Sequence, residues 1–354
     1  MKAKIECVLV VMILLISQSL RAQDAQFYQA YASPLTLNPS MAGLIDGNYR
    51  LSGVYRDQWR SLVDKPFTTF SLTGDGRFAL KSKERSNKDY VGVGIAFISD
   101  KVGLISYSTN QLGLSAAFHK SLDQALNQYL SFGVQAAVNQ RNINYENLNF
   151  QDEFNGIDGY TDASGEILPS NNFGFVDFSM GLHYSITPFK GLEVFTGGSL
   201  YHIGSPRITF FRNTSTTVGV FEINENLFRK IQVHGGFSLT AANGWSLIPR
   251  AVYVKQGPHE QLMVGSNFKR ELANQESSSF IIGGGIRLVN DLDALSLESA
   301  ILSLGLDLSG KVIGFSYEFG IKGIQNGFRN QGIFELSFTY TGEYENENFF
   351  CPRF

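Results

Sequence analysis

A two-residue hydrophobic period, repeated along most of the chain, constrains this protein more than any other feature of its sequence. Phe334, Leu336, Phe338 and Tyr340 alternate with Glu335, Ser337 and Thr339. Ile313, Phe315, Tyr317, Phe319 and Ile321 alternate with Gly314, Ser316, Glu318 and Gly320. Leu130, Phe132, Val134, Ala136 and Val138 are interleaved with Ser131, Gly133, Gln135, Ala137 and Asn139. Side chains on a strand point to alternate faces, so each segment has one greasy face and one small or polar face. A soluble β-sandwich alternates in the same way, but its strands are usually about five or six residues long. These segments run about ten to fifteen, the length needed to cross ~30 Å of hydrocarbon at a tilt of ~45°. A sheet in lipid must also close, because an open edge leaves N–H and C=O groups unpaired. The pattern therefore predicts an all-β, transmembrane antiparallel β-barrel.

Fourteen segments carry the period: 48–59, 66–78, 88–100, 105–119, 126–141, 172–187, 191–203, 229–242, 245–256, 259–271, 277–288, 297–309, 310–322 and 329–343. An even number suits a single-chain bacterial barrel, in which short periplasmic turns alternate with longer outer loops. The two longest connections, 142–171 and 204–228, have the same parity and so fall on one side. Turns such as Thr187-Pro188-Phe189-Lys190, Ala242-Asn243-Gly244 and Ser309-Gly310 fall on the other. This parity puts the N- and C-termini on the periplasmic side.

Composition agrees. Charged residues are 17% of the chain, below the ~25% of soluble domains, while 29 Phe, 15 Tyr and 36 Gly are high. Mean hydropathy is only −0.06, which excludes a bundle of membrane helices. The net charge of −3 argues against a nucleic-acid partner. Residues 1–22 read as a signal peptide, with Lys2 and Lys4 before the apolar run Val8 to Ile16, and cleavage after Ala22. The nine-residue run is about half of a membrane-spanning helix. Cleavage leaves Cys351 as the single cysteine, so an internal disulfide is ruled out. Residues 23–47 show no alternation and form a separate segment, either beneath the barrel or within its lumen, ahead of a barrel spanning 48–354.

The chain offers little catalytic chemistry. It has no Gly-x-Ser-x-Gly elbow, phosphate loop or paired-histidine metal helix, and the reading is not an enzyme. His183 and His234 have lumen parity, where polar filling is the ordinary role and a Ser/His hydrolase the competing one. Glycines such as Gly92, Gly94, Gly133 and the run Gly283-Gly284-Gly285 either bend the wall or clear space for a ligand or plug. No cofactor is predicted. The 142–171 loop carries Glu146, Asp152, Glu153, Asp158, Asp162 and Glu166 without Lys or Arg, and reads as a solvated, partner-facing acidic surface, with calcium as a competing occupant. Phe210, Phe211, Val218, Val220 and Phe221 in the 204–228 loop would mark a protein contact if exposed.

The segment before the first strand carries the most specific motifs. Gln26-Phe27-Tyr28-Gln29, Pro34-Leu35, Asn38-Pro39, Ala42-Gly43 and Tyr55-Arg56-x-Gln58-Trp59 follow one another, and the chain ends Cys351-Pro352-Arg353-Phe354. In order and spacing this resembles the PorP/SprF family, with Ala25 as a departure where that family commonly has proline. The resemblance implies an outer-membrane protein of the type IX secretion system. Its expected partners are a secreted adhesin or that adhesin's type B C-terminal signal domain, other secretion components, and outer-membrane lipid. It implies a receptor or anchor, with a transport channel for small or hydrophobic solutes as the alternative. Asn38, Pro39, Gly43, Arg56, Gln58 and Trp59 are the family-motif candidates. They serve either to fix the N-terminal segment and the first strand or to touch substrate.

Overall fold

The computed structural model describes residues 24–343, apart from 62, 64, 81–88, 104–105, 124, 126, 146–147, 158, 162, 166–167, 211–225, 273–277, 292–293 and 322–331. The expected signal peptide, residues 1–22, and the C-terminal Cys351-Pro352-Arg353-Phe354 lie outside the described residues. Fourteen antiparallel strands form one closed barrel in simple sequence order. They are β1 (Tyr49–Gln58), β2 (Phe67–Ala79), β3 (Tyr90–Val102), β4 (Tyr107–Ser121), β5 (Gln128–Asn142), β6 (Asn172–Phe189) and β7 (Leu192–Tyr201), followed by β8 (Lys230–Thr240), β9 (Trp245–Gln256), β10 (His259–Glu271), β11 (Ser278–Asp291), β12 (Ala294–Leu308), β13 (Lys311–Gly320) and β14 (Ile333–Gly342). The seam is an unbroken antiparallel ladder between β1 and β14, from Tyr49 opposite Gly342 to Gln58 opposite Ile333. Every strand thus has two partners, which removes the edge that lipid could not solvate.

The alternation resolves into two environments. On β4, β5 and β12 the lipid-facing Leu114, Val138 and Leu302 are 62%, 59% and 61% exposed, whereas their lumen-facing neighbours Ser115, Asn139 and Ser303 are buried. Lumen positions are filled by Ser, Thr, Gln, Asn and paired charges rather than by a greasy core. Strand ends shift by up to four residues from the sequence reading, and one shift removes a predicted turn. β6 continues through Pro188 to Phe189, where the sequence predicts a turn. A register shift between Ile186 and Phe189 lets the strand carry a residue with no N–H to donate.

The connections 143–171 and 202–229 emerge at one end of the barrel, and short turns such as 190–191, 241–244 and 309–310 at the other. Residues 24–47 lie inside the barrel. They make two 3₁₀ turns, Ala30–Ala32 and Pro39–Met41, around a helical turn at Pro34–Leu37. Pro34 and Pro39 each sit at the first position of their turn, where the missing N–H costs nothing and φ is already set. This segment is a plug running the length of the lumen. Asp24 bonds residues at the end bearing the long connections, whereas Gly43 reaches Asp75, toward the far end of β2, and Asn48 bonds Gly342 at the end with the short turns. The sequence reading places both termini on one side. Among the described residues, Asp24 and Gly342 instead sit at opposite mouths, because Lys230 and His202 hold the Asp24 carboxylate at the far end.

Candidate functional site: a plugged lumen

The plug is bonded to the wall at every level. At the far mouth, Asp24 accepts from Lys230 Nζ and pairs with His202 Nε2 at 2.9 Å, while His202 Nδ1 lies 2.7 Å from Asp177. Burial alone would lower the His202 pKa, but Asp24 and Asp177 outweigh it and raise it to about 9, making His202 an imidazolium at neutral pH. Burial would also raise the Asp24 pKa. Lys230 and His202 reverse that and hold it well below the usual carboxylate range.

Deeper in, the backbone N–H groups of Tyr28 and Gln29 both donate to the Glu335 carboxylate at 3.0 Å. Gln29 adds bonds to Ser316 and Ser337, and Ser33 bonds Ser71 at 2.8 Å. Asn38 is the hub of the middle level. Its Oδ1 accepts from Ser40 N (3.0 Å) and Ser40 Oγ (2.7 Å), capping the turn that Pro39 opens. Its Nδ2 donates to Leu182 O on β6 (2.8 Å) and Gly198 O on β7 (3.3 Å). At the lowest level, Gly43 adopts φ +75, a conformation that glycine takes at little cost, and its N–H donates to Asp75 at 2.8 Å. Arg50 grips the same carboxylate bidentately at 2.9 and 2.8 Å. His119 Nε2 lies 2.8 Å from Ala42 O, an atom that can only accept, so Nε2 carries the proton and Nδ1 accepts from Ser131 Oγ at 2.7 Å.

The lumen glycines are the counterpart of this plug. A Cβ on Gly92 would stand 1.8 Å from Ala42 O, one on Gly133 2.4 Å from Ser40 N, one on Gly94 2.7 Å from Leu35 Cδ1, and one on Gly181 1.8 Å from Asn38 Oδ1. Each is closer than atoms can approach. Of the two roles open for these glycines, clearing space for a plug is one the packing demands. In the 283–285 run, Gly285 meets the Tyr28 ring, while Gly283 and Gly284 face wall atoms.

The family-motif residues divide into two groups. Asn38, Pro39 and Gly43 lie in the plug and its contacts with the wall. Arg56 and Gln58 are on β1, and Trp59 follows it. Arg56 Nε is 3.7 Å from Glu335, its partner in the β1–β14 register. Trp59, at φ 62, donates its N–H to Gly332 O and sets its ring edge-on to Phe67 at 5.1 Å. Arg56, Gln58 and Trp59 also line a cavity of about 470 Å³ beside the plug, toward the end with the long connections, which Asp24, Gln26 and Leu35 of the plug line as well.

The remaining candidates fall outside this assembly. In the acidic loop, Asp152 accepts from Ser164 Oγ and Gly165 N, and Glu153 closes back onto Phe150 N. Glu146, Asp158, Asp162 and Glu166 lie outside the described residues. Phe210 does not stand out as an exposed contact. It packs edge-on against Phe173 at 4.7 Å, beside Phe175 and Leu227, because these apolar side chains shield one another at the mouth of a polar lumen. Phe211, Val218, Val220 and Phe221 lie outside the described residues. His183 Nδ1 and His234 Nε2 bond each other at 3.2 Å, and among the described residues neither ring bonds a serine hydroxyl. Sequence reasoning missed Asp24, Asp177, His202 and Lys230. For Asp177 and Lys230 the usable signal was charge at lumen parity, since a buried ion must find a partner; Asp24 and His202 lie outside the strands and carried no such signal.

The family profile described as type IX secretion system membrane protein PorP/SprF covers residues 19–340. The chain belongs to that family. PorP/SprF membership and the closed barrel together place it in the outer membrane among the type IX secretion components, and both are consistent with a non-enzymatic role. No curated protein matches the sequence. Among solved structures, the CymD monoaromatic hydrocarbon channel is 11% identical, with 93% of this chain and 97% of that one covered at a TM-score of 0.48. A Pseudomonas aeruginosa FadL homologue is 11% identical over 86% and 92%, also at 0.48. The Ralstonia pickettii toluene transporter TbuX is 9% identical over 88% and 94%, at 0.44. Likeness at this level carries no argument about what the present chain binds.

Proposed function

We propose that this PorP/SprF barrel is a docking receptor that holds a secreted adhesin at the cell surface through the adhesin's type B C-terminal signal domain. The observation that carries the reading is the plug. Residues 24–47 occupy the lumen from mouth to mouth, bonded through Asp24, Tyr28, Gln29, Asn38 and Gly43. A lumen so filled is poorly suited to steady solute flow and well suited to a rigid platform. In this reading the end with the 143–171 and 202–229 connections faces the exterior, as in other bacterial barrels. Binding involves no covalent chemistry.

The test is a pull-down of the tagged protein from native outer membranes of cells that secrete such an adhesin. Co-recovery of a large secreted polypeptide is expected, and its absence would remove the receptor reading. Planar-bilayer recording separates the rival class. The intact barrel is expected to show no steady conductance, and deletion of residues 24–47 is expected to open it. Sustained flux through the intact barrel would assign a channel instead.

A further inference from the structure

The cavity beside the plug has an asymmetry in its polar lining. Lys230 is bonded to Asp24, and Arg287 is bonded to Glu318 through Nε and Nη2, both at 2.8 Å. On the wall formed by β4, β5 and β6 the pattern changes. Arg141 is buried, its guanidinium stands over the Phe175 ring at 5.6 Å, and it has no ion-pair or hydrogen-bond partner among the described residues. Asn139, two residues along the same face of β5, has a buried Nδ2 without a partner. The other two buried side-chain atoms lining the cavity without a hydrogen bond are Gln261 Nε2 and Arg56 Nε, the latter 3.7 Å from the Glu335 carboxylate. All four are N–H donors.

Buried donors without acceptors cost free energy that a complementary ligand recovers. The matching chemistry is an acceptor carrying negative charge. A carboxylate fits best, because a guanidinium can present two parallel donors to two oxygens. Asp24, Asp100 and Glu298 also line the cavity, which favours a singly charged ligand over a polyanion. A volume of about 470 Å³ accommodates a short stretch of extended chain.

We propose that this cavity receives the terminal carboxylate of a polypeptide, with Arg141 and Asn139 as its donors. The carboxylate chemistry stands on the wall itself. That the carboxylate ends a secreted chain rests on the receptor reading above.

Trp59 lines the cavity and Trp245 begins β9 at the opposite end, so a Trp245→Phe background leaves Trp59 as the fluorescent reporter. The full chain in detergent is titrated with tetraglycine, its C-terminal amide and acetate. Saturable binding of tetraglycine is expected, about tenfold or more tighter than the amide or acetate. Arg141→Gln and Asn139→Leu should each weaken it by a similar factor, Arg141→Lys by less, and Lys311→Gln at the far end of the barrel not at all. Heat-modifiable gel migration verifies that each variant is folded. Equal binding of acid and amide, or unchanged binding in folded Arg141→Gln, overturns the site. Acetate binding as tightly as tetraglycine overturns the chain-end assignment in favour of a small carboxylate solute. If tetraglycine fails to bind while the pull-down still captures its polypeptide, this site falls and the receptor reading stands; binding without capture means the reverse.

Discussion

Asn38 joins two walls and its own turn through one short side chain, so its removal is costly for its size. Asn38→Ala strips the cap from Ser40 and leaves Leu182 O and Gly198 O without that donor. A loss of about 1–3 kcal/mol in plug stability is expected. Hydrogen–deuterium exchange should show it as faster exchange over 33–44, with β6 and β7 unchanged. Gly92 makes the converse case, since its defect would come from an added atom. Gly92→Val drives a side chain into the Ala42 carbonyl, and both neighbours there are backbone. The lower plug should detach and become protease-sensitive while the barrel keeps its heat-modifiable migration. A variant whose plug stays protected would show that the wall yields instead.

At the level of elements, the mouth-side end of the plug hangs on one ionic knot of Asp24, His202, Asp177 and Lys230. The pKa of His202 is raised from 6.5 to about 9, so its contribution is complete below about pH 6.5 and is lost as pH rises through about 9. Proteolysis or exchange at residues 24–30 should therefore increase between pH 8 and 10, and His202→Gln should flatten that profile. An unchanged profile in the variant would mean that Lys230 alone holds Asp24. The strands were legible in the sequence because lipid enforces strict alternation, and the long connections separated by parity. The plug's course was not legible. Its residues carry no period, and their positions are set by contacts hundreds of residues away, such as Gln29 with Glu335. Asn38-Pro39 and Ala42-Gly43 could be singled out as motifs, yet their geometry depends on glycines of β3, β5 and β6 that read equally well as bends.

For the whole molecule, charge burial explains how a barrel poor in charged residues keeps a specific interior. Arg50 with Asp75 and Arg287 with Glu318 are buried ion pairs with close, multiple bonds. Breaking such a pair from one side typically costs about 3–5 kcal/mol, more than removing both partners together. Glu318→Gln should accordingly lower the unfolding midpoint in urea more than the double replacement Arg287→Met, Glu318→Met does. The reverse order would show that water in the lumen screens the pair.

The plug also constrains how the molecule can be made. It leads directly into β1, and β1 is sealed by β14, the last strand to be synthesised. Once that seam is shut, seating residues 24–47 would require drawing them lengthwise through a finished tube past paired charges. The low-barrier sequence is the opposite one, with the leading segment settling against a curling, still-open sheet whose final strand then encloses it. The interior contents are in this way a template for the wall around them.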